Sequence, residues 1–192
     1  MILGITGGTG CGKTTLLACI RERGGLVLDC DEIYHALLKT DVKLLAAIED
    51  RFPGTVEGGV LQRKKLGSIV FQEKQALLDL NAITHKAVKE KVEHIIGINR
   101  ELAAIDAIEL FDGGLAEMCD VTVAITAPEE DRIQRLLARD GISYEHAALR
   151  IRAQKPESYF REKCDHVLEN NGTEEEFQEK CLAFFREFII MK

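Results

Sequence analysis

The sequence predicts an α/β fold, a parallel sheet with helices on both faces, and three observations carry that prediction. Short β-leaning apolar runs alternate with segments of helical period along the chain. The first of these runs opens at once into a glycine-rich turn that leads into a helix. No internal repeat or Pro/Ser-rich linker divides the 192 residues, which include only three prolines, so any second lobe is expected as an insertion within one domain.

The elements follow in order. Ile2 to Thr6 reads as the first strand, and Leu16, Leu17 and Ile20 then recur at helical spacing up to Arg23 and the Gly24-Gly25 stop. Leu26 to Asp29 is a second short strand, and Leu102 to Asp106, Val121 to Thr126 and Val167-Leu168 bring the candidates to five, with helical patterns between them. Ile133, Leu136 and Leu137 mark one of those helices. The last helix opens on Thr173-Glu174-Glu175-Glu176, a capping box, after which Phe177, Cys181, Phe184, Phe185 and Phe188 form one apolar stripe. A stripe of this period is expected to pack in the core rather than to stack on bases.

Composition narrows the function. With 46% hydrophobic and 30% charged residues the chain is neither collagen-like nor disordered. A chain of this length buries roughly 70% of its unfolded surface without a staple of disulfides or metal. Thirty-two acidic against 25 basic residues leave a net charge of −7, which argues against a nucleic-acid backbone or an anionic membrane as partner. An anionic ligand therefore has to be held by local charge. No apolar run approaches the ~20 residues of a membrane span, and Met1-Ile2-Leu3-Gly4 lacks the basic start of a signal peptide. A cytoplasmic location is expected, with the six cysteines, none in a C-x-x-C pair, as reduced thiols.

The decisive signal is Gly7-Gly8-Thr9-Gly10-Cys11-Gly12-Lys13-Thr14, a full match to G-x-x-x-x-G-K-[ST]. Average residue frequencies give such a match by chance in roughly 0.7% of chains this long, and its place between a strand and a helix lowers that further. Glycines let backbone N–H groups converge on phosphate oxygens, and the helix N-terminus adds its positive end. Lys13 supplies a charge for the β- and γ-phosphates of a nucleotide such as ATP, and the Thr14 hydroxyl can ligate Mg²⁺. Cys11, among these donors and near Lys13, is expected chiefly as a small filler; its surroundings also suggest a lowered thiol pKa and sensitivity to oxidation.

Carboxylates supply the complementary chemistry. The second strand ends Asp29-Cys30-Asp31, and in extended chain a period of two points both carboxylates the same way. One is expected to deprotonate an attacking hydroxyl and the other to assist the hydrated metal, the competing use being a helix cap. Asp106, at the end of Leu102-Ala103-Ala104-Ile105, resembles a Walker B aspartate and competes for the metal. From Arg132 to Lys163 there are eight basic and four acidic residues, net +4, while the rest of the chain carries −11. That segment suits a lid over phosphates, or equally a solvated helix face. Arg63-Lys64-Lys65 is a smaller basic group placed where an anionic acceptor could bind.

Over nearly its whole length the chain resembles the dephospho-CoA kinases. The resemblance runs through Gly7 to Thr15, Asp29-Cys30-Asp31 with His35, Leu61-Gln62-Arg63 with Leu66, and Leu80-Asn81-Ala82-Ile83-Thr84-His85. It continues with Pro128, Arg132 and Arg135, Arg139-Asp140, Arg150-Ile151-Arg152-Ala153-Gln154, and Asn170-Asn171-Gly172. It implies a single P-loop kinase domain over 1–192: a three-layer α/β/α core with a five-stranded parallel sheet, a helical acceptor-binding region at about 31–100 and a lid at about 140–163. It further implies ATP and Mg²⁺ and phosphorylation of the ribose 3′-hydroxyl of dephospho-CoA, the last step of coenzyme A synthesis, by an enzyme expected to be a monomer. Asp31 would be the base, assisted by Lys13, Asp29 and Arg139, with Thr15 and Asn171 beside the nucleotide. His35, Arg63, Asn81 and His85 would meet the acceptor. Two departures fall on acceptor contacts: Lys86 stands where the family usually has proline, and Ile108-Glu109-Leu110-Phe111-Asp112 stands where it tends to read Pro-Leu-Leu-Phe-Glu.

Two other functions fit the same motif. One is a P-loop kinase for a small metabolite or a nucleoside monophosphate; the other is a nucleotide-dependent regulatory protein without phosphoryl transfer. The absence of an N-K-x-D guanine-reading motif weighs against a GTPase switch.

Overall fold

The computed structural model describes residues 1–98 and 101–187. It divides into two compact units, Met1–Leu28 with Asn99–Lys192, and Asp29–Ile98.

The first unit is built on a parallel sheet flanked by helices. Its strands are β1 (Ile2–Thr6), β2 (Leu26–Asp29), β5 (Ala103–Asp106), β6 (Val121–Thr126) and β7 (His166–Glu169), in the order β2-β5-β1-β6-β7. All six residues of β6 are buried, as expected of a strand covered on both faces. β1 lies between β5 and β6, pairing Gly4 with Ile105 on one side and with Thr122 on the other. The strand order reverses at this point, and in such sheets the ligand crevice opens at the carboxyl ends of the strands. The turn after Thr6 therefore emerges where a ligand would sit.

On the sheet, α1 (Lys13–Arg21) packs with α9 (Glu174–Phe185). Leu16, Leu17 and Ile20 share a core with Phe177, Cys181, Phe184 and Phe185, as the apolar stripe predicts; Phe188 lies outside the described residues. The capping box is present in full, Thr173 Oγ1 accepting from Glu176 N and the Glu176 carboxylate from Thr173 N. Phe177 is 1% exposed, and its truncation to alanine should cost about 3–5 kcal/mol. α6 (Glu129–Asp140), α7 (Tyr144–Arg152) and α8 (Glu157–Lys163) complete this unit, the first two closing a small core of Ile133, Leu136, Ala147, Ala148 and Ile151.

The second unit is helical: α2 (Cys30–Thr40), α3 (Val42–Arg51), α4 (Arg63–Val70) and α5 (Lys74–Ile98), with the short hairpin β3 (Val56–Glu57) and β4 (Val60–Leu61). α5 buries Ala76, Leu80, Thr84, Val88, Val92 and Ile96, one position every four residues along 25. The buried Thr84 hydroxyl is satisfied by donating back to Leu80 O at 2.9 Å. No helix among the described residues is long and apolar enough to cross a membrane.

One local expectation is overturned. Asp29 and Asp31 do not alternate in extended chain, because α2 begins at Cys30 and Asp31 lies in its first turn. Asp29 Oδ1 accepts from Asp31 N at 2.9 Å and Glu32 N at 3.0 Å, so the first aspartate caps the helix that carries the second.

Candidate active site

The loop between β1 and α1 is shaped by glycine. Gly7, Gly10 and Gly12 adopt φ of 134°, 78° and 93°, which a side chain would strain, and Gly12 is the N-cap of α1. Lys13, the first residue of that helix, turns its ammonium back over the loop, 3.1 Å from Gly7 O and 3.8 Å from Asp106 Oδ1. The Lys13 and Asp106 side chains are only 14% and 15% exposed, so this charge pair sits in a partly desolvated setting where it acts more strongly than in water.

The loop's carbonyls are gripped from outside. Arg132 Nε donates to Thr9 O at 2.9 Å and Arg135 Nη1 to Gly10 O at 3.1 Å, both from α6. Asn170, buried at the end of β7, donates from Nδ2 to Cys11 O at 3.0 Å. Gln154, between α7 and α8, accepts from Thr9 N at 2.8 Å. With these carbonyls pinned outward, the loop is held against turning its oxygens toward an anion. The roles of Asn170 and Gln154 are missing from the sequence reading, and Arg132 and Arg135, counted in the basic segment that suited a lid or a solvated helix face, brace the loop.

The other basic residues of 132–163 are matched nearby. Arg139 is bidentate on Asp140, at 2.7 and 3.1 Å, and Arg150 shares that carboxylate at 2.7 Å. Arg161 bridges Glu157 and Glu169, each at 2.6 Å, and Arg152 lies 3.7 Å from Glu129. Lys155 pairs with Asp112 at 2.9 Å, and Lys163 stands over the Phe111 ring at 5.7 Å. The positive window is thus largely compensated within the unit. Arg139, expected at the nucleotide, is engaged by Asp140 instead.

Cys11 does not match the reactive thiol that was one expectation for it. It is 3% exposed, and burial pushes its pKa up against the pull of Arg132 and Lys13. Asn171 is exposed, and its Oδ1 accepts from Lys180 at 3.0 Å, a surface arrangement beside the buried Asn170.

For Mg²⁺, no group of three or more His, Cys, Asp or Glu that could hold a metal occurs among the described residues. Mg²⁺ at a nucleotide takes one or two protein ligands and completes its shell with phosphate oxygens and water. An exposed Thr14 hydroxyl on the first turn of α1 and the Asp106 carboxylate that already faces Lys13 fit such a set.

Within the second unit, Asp31, His35 and Lys39 recur every four residues and share one face of α2. A cavity of about 630 Å³ opens there, lined by His35, Lys39 and Arg63 among others, with Val60 and Leu61 of the hairpin. Arg63, the first residue of α4, pulls down the Tyr34 pKa, which burial pushes up by more. Asn81 and His85 stand one turn apart on α5 and are not among the residues lining that cavity.

Known proteins resemble this chain. The family model described as dephospho-CoA kinase matches residues 1–176. A dephospho-CoA kinase of Geobacillus kaustophilus is 33% identical across 98% of this chain and 96% of its own, and one of Carboxydothermus hydrogenoformans is 32% identical across 97% and 94%. Among solved structures, TT1252 from Thermus thermophilus superposes with a TM-score of 0.79 at 33% identity, covering 98% of this chain and 97% of that one. Shikimate kinase from Acinetobacter baumannii, at a TM-score of 0.58, 16% identity and coverage of 100% and 94%, shares the fold alone.

Proposed function

Because the chain belongs to the dephospho-CoA kinase family, we propose that Lys13 and its loop present ATP, and Asp31 the acceptor, in the last step of coenzyme A synthesis. The γ-phosphoryl group passes to the ribose 3′-hydroxyl of dephospho-CoA. The observation that carries this reading is the loop itself, with the Lys13 ammonium held between Gly7 O and Asp106.

The new bond joins O3′ to Pγ, and the bond from Pγ to the β–γ bridging oxygen breaks. ADP leaves with that electron pair, and the hydroxyl proton passes to the Asp31 carboxylate. The transition state is loose, so the protein's part is alignment and neutralisation of charge. Lys13, the loop N–H groups and the N-terminus of α1 supply that charge. Mg²⁺, when bound, neutralises the β- and γ-phosphate oxygens, and Thr14 with Asp106 would hold it. Asp29, as the cap of α2, fixes the backbone that carries Asp31. His35 and Arg63 bind the anionic acceptor from the α2 face, with Asn81 and His85 contributing from α5. Thr15, Asn171 and Arg139 belong to the nucleotide side. On this reading the enzyme is a cytoplasmic monomer, and sedimentation should give one species near 21.4 kDa.

The test is acceptor-stimulated ADP release over a panel holding dephospho-CoA, shikimate and nucleoside monophosphates, with the product identified by mass. Coenzyme A formed from dephospho-CoA alone is expected. Stimulation by a different acceptor, or by none, overturns the reading.

A further inference from the structure

Thr9 stands third in the loop of eight, and both of its backbone polar groups are claimed by one small ring of hydrogen bonds. Its N–H donates to Gln154 Oε1 at 2.8 Å, and its carbonyl accepts from Arg132 Nε at 2.9 Å. Arg132 Nη2 closes the ring by donating to the same Gln154 oxygen at 3.1 Å. The packing is close enough that a Cβ on Gly8 would run into Arg132 Nη2 and come within 3.0 Å of Gln154 Oε1.

We infer that Gln154 is a positioning residue for phosphoryl transfer: its carboxamide oxygen locks Arg132 onto the crest of the phosphate loop and so sets the aim of the loop's amides. The inference rests on the kinase reading above. The chemistry of the ring selects a glutamine. One oxygen has to take two N–H donors, which a carboxamide does with its two lone pairs. A glutamate would take both with a negative charge close to the triphosphate, and an asparagine falls one methylene short. A leucine fills similar space but leaves the Thr9 N–H without its acceptor. Gln154 also ties the connection between α7 and α8 to the loop. A displacement of reacting groups on the order of 1 Å is enough to cost about 100-fold in rate.

The test uses the full chain and four proteins: wild type, Gln154→Leu, Arg132→Lys and the double variant. Initial rates are measured against ATP and against dephospho-CoA, ADP is titrated by calorimetry without acceptor, and each protein is melted. Gln154→Leu is expected to lower kcat/KM for ATP by about 10- to 100-fold and to weaken ADP binding, with KM for dephospho-CoA within about twofold of wild type. Because Gln154 acts through Arg132, the double variant should be no more than about threefold worse than Arg132→Lys. Wild-type constants in Gln154→Leu, or losses that multiply in the double variant, overturn the inference. Should Gln154→Leu fail to fold, Gln154→Asn carries the test: one methylene short of the Thr9 N–H and of Arg132, it is expected to melt near wild type while lowering kcat/KM for ATP by about 10-fold and weakening ADP binding, and wild-type constants overturn the inference. Absence of turnover in the wild type would instead overturn the kinase reading, while the ADP titrations still report on the loop.

Discussion

The glycine loop and the α2 cavity are built by different means. In the loop, glycine geometry sets the backbone, and four side chains from three regions of the first unit pin it: Arg132, Arg135, Gln154 and Asn170. In the cavity, Lys39 and Arg63 supply charge from side chains that are themselves part of the wall, which His35 shares. A pinned backbone delivers position; flexible cationic side chains deliver affinity. Position is what a loose phosphoryl-transfer transition state requires, so damage to the loop should fall on kcat and on the nucleotide, and damage to the cavity on KM for dephospho-CoA.

The largest expected effect is at Lys13. Lys13→Met removes the one charge that faces both Asp106 and the bound phosphates, and kcat should fall by about 10³-fold while the melting temperature changes little. Similar losses in kcat and folding would show that the ammonium serves the fold through Asp106 rather than the reaction.

Asp31 comes next and tests the contrast from the other unit. Asp31→Asn keeps the first turn of α2, because Asp29 caps it through the Asp31 backbone N–H and not its side chain. A fall in kcat of about 10²–10³-fold with KM for dephospho-CoA nearly constant is expected of a base. A change confined to KM would make Asp31 one more cavity wall and would erase the distinction drawn above.

How much of this could be read from the sequence follows from the same contrast. The loop was legible because its chemistry lies in backbone amides, and glycine spacing encodes backbone directly. The five strands of the parallel sheet were legible as well, since apolar β-leaning runs report local burial, whereas the two-residue strands β3 and β4 were not. Gln154 and Asn170 were not, because each meets the loop across a gap of 145 or 159 residues, and nothing local marks a glutamine as an acceptor for Thr9. The pairing of the basic segment was hidden for the same reason: Asp112 and Glu169, which neutralise Lys155 and Arg161, lie outside residues 132–163. At Asp29 the error was local, a helix starting one residue after a strand end, where a capping aspartate and a catalytic one look alike.

Arg63 sharpens the cavity side. Arg63→Ala removes a cation from the wall and should raise KM for dephospho-CoA about 10-fold, the loss expected for one hydrogen bond to a charged group, with KM for ATP and kcat within about twofold. A fall in kcat instead would mean that the cavity, too, positions the reacting hydroxyl.

The smallest effect concerns how α8 is fastened. Tyr159 on α8 donates to Asp112 Oδ1 at 2.8 Å. Burial, reinforced by that bond, pushes its pKa up to about 12, while the partners Lys155 and Tyr159 hold the Asp112 carboxyl below its usual range. An ordinary tyrosine ionises near 10, so between pH 10 and about 12 the folded protein keeps a proton that the unfolded chain has released. Stability must then fall as pH rises through that window, and the contribution of Tyr159 is fully present below it. Tyr159→Phe lacks this slope: urea midpoints of variant and wild type should differ at pH 9 and converge toward pH 12, while an absorbance titration of the folded variant loses its latest tyrosinate step. Equal midpoints at every pH would mean that the hydroxyl adds nothing and that α8 is held by the ring, which phenylalanine keeps, packed against Phe111 and Phe160: by shape, as the loop is, rather than by a shared proton.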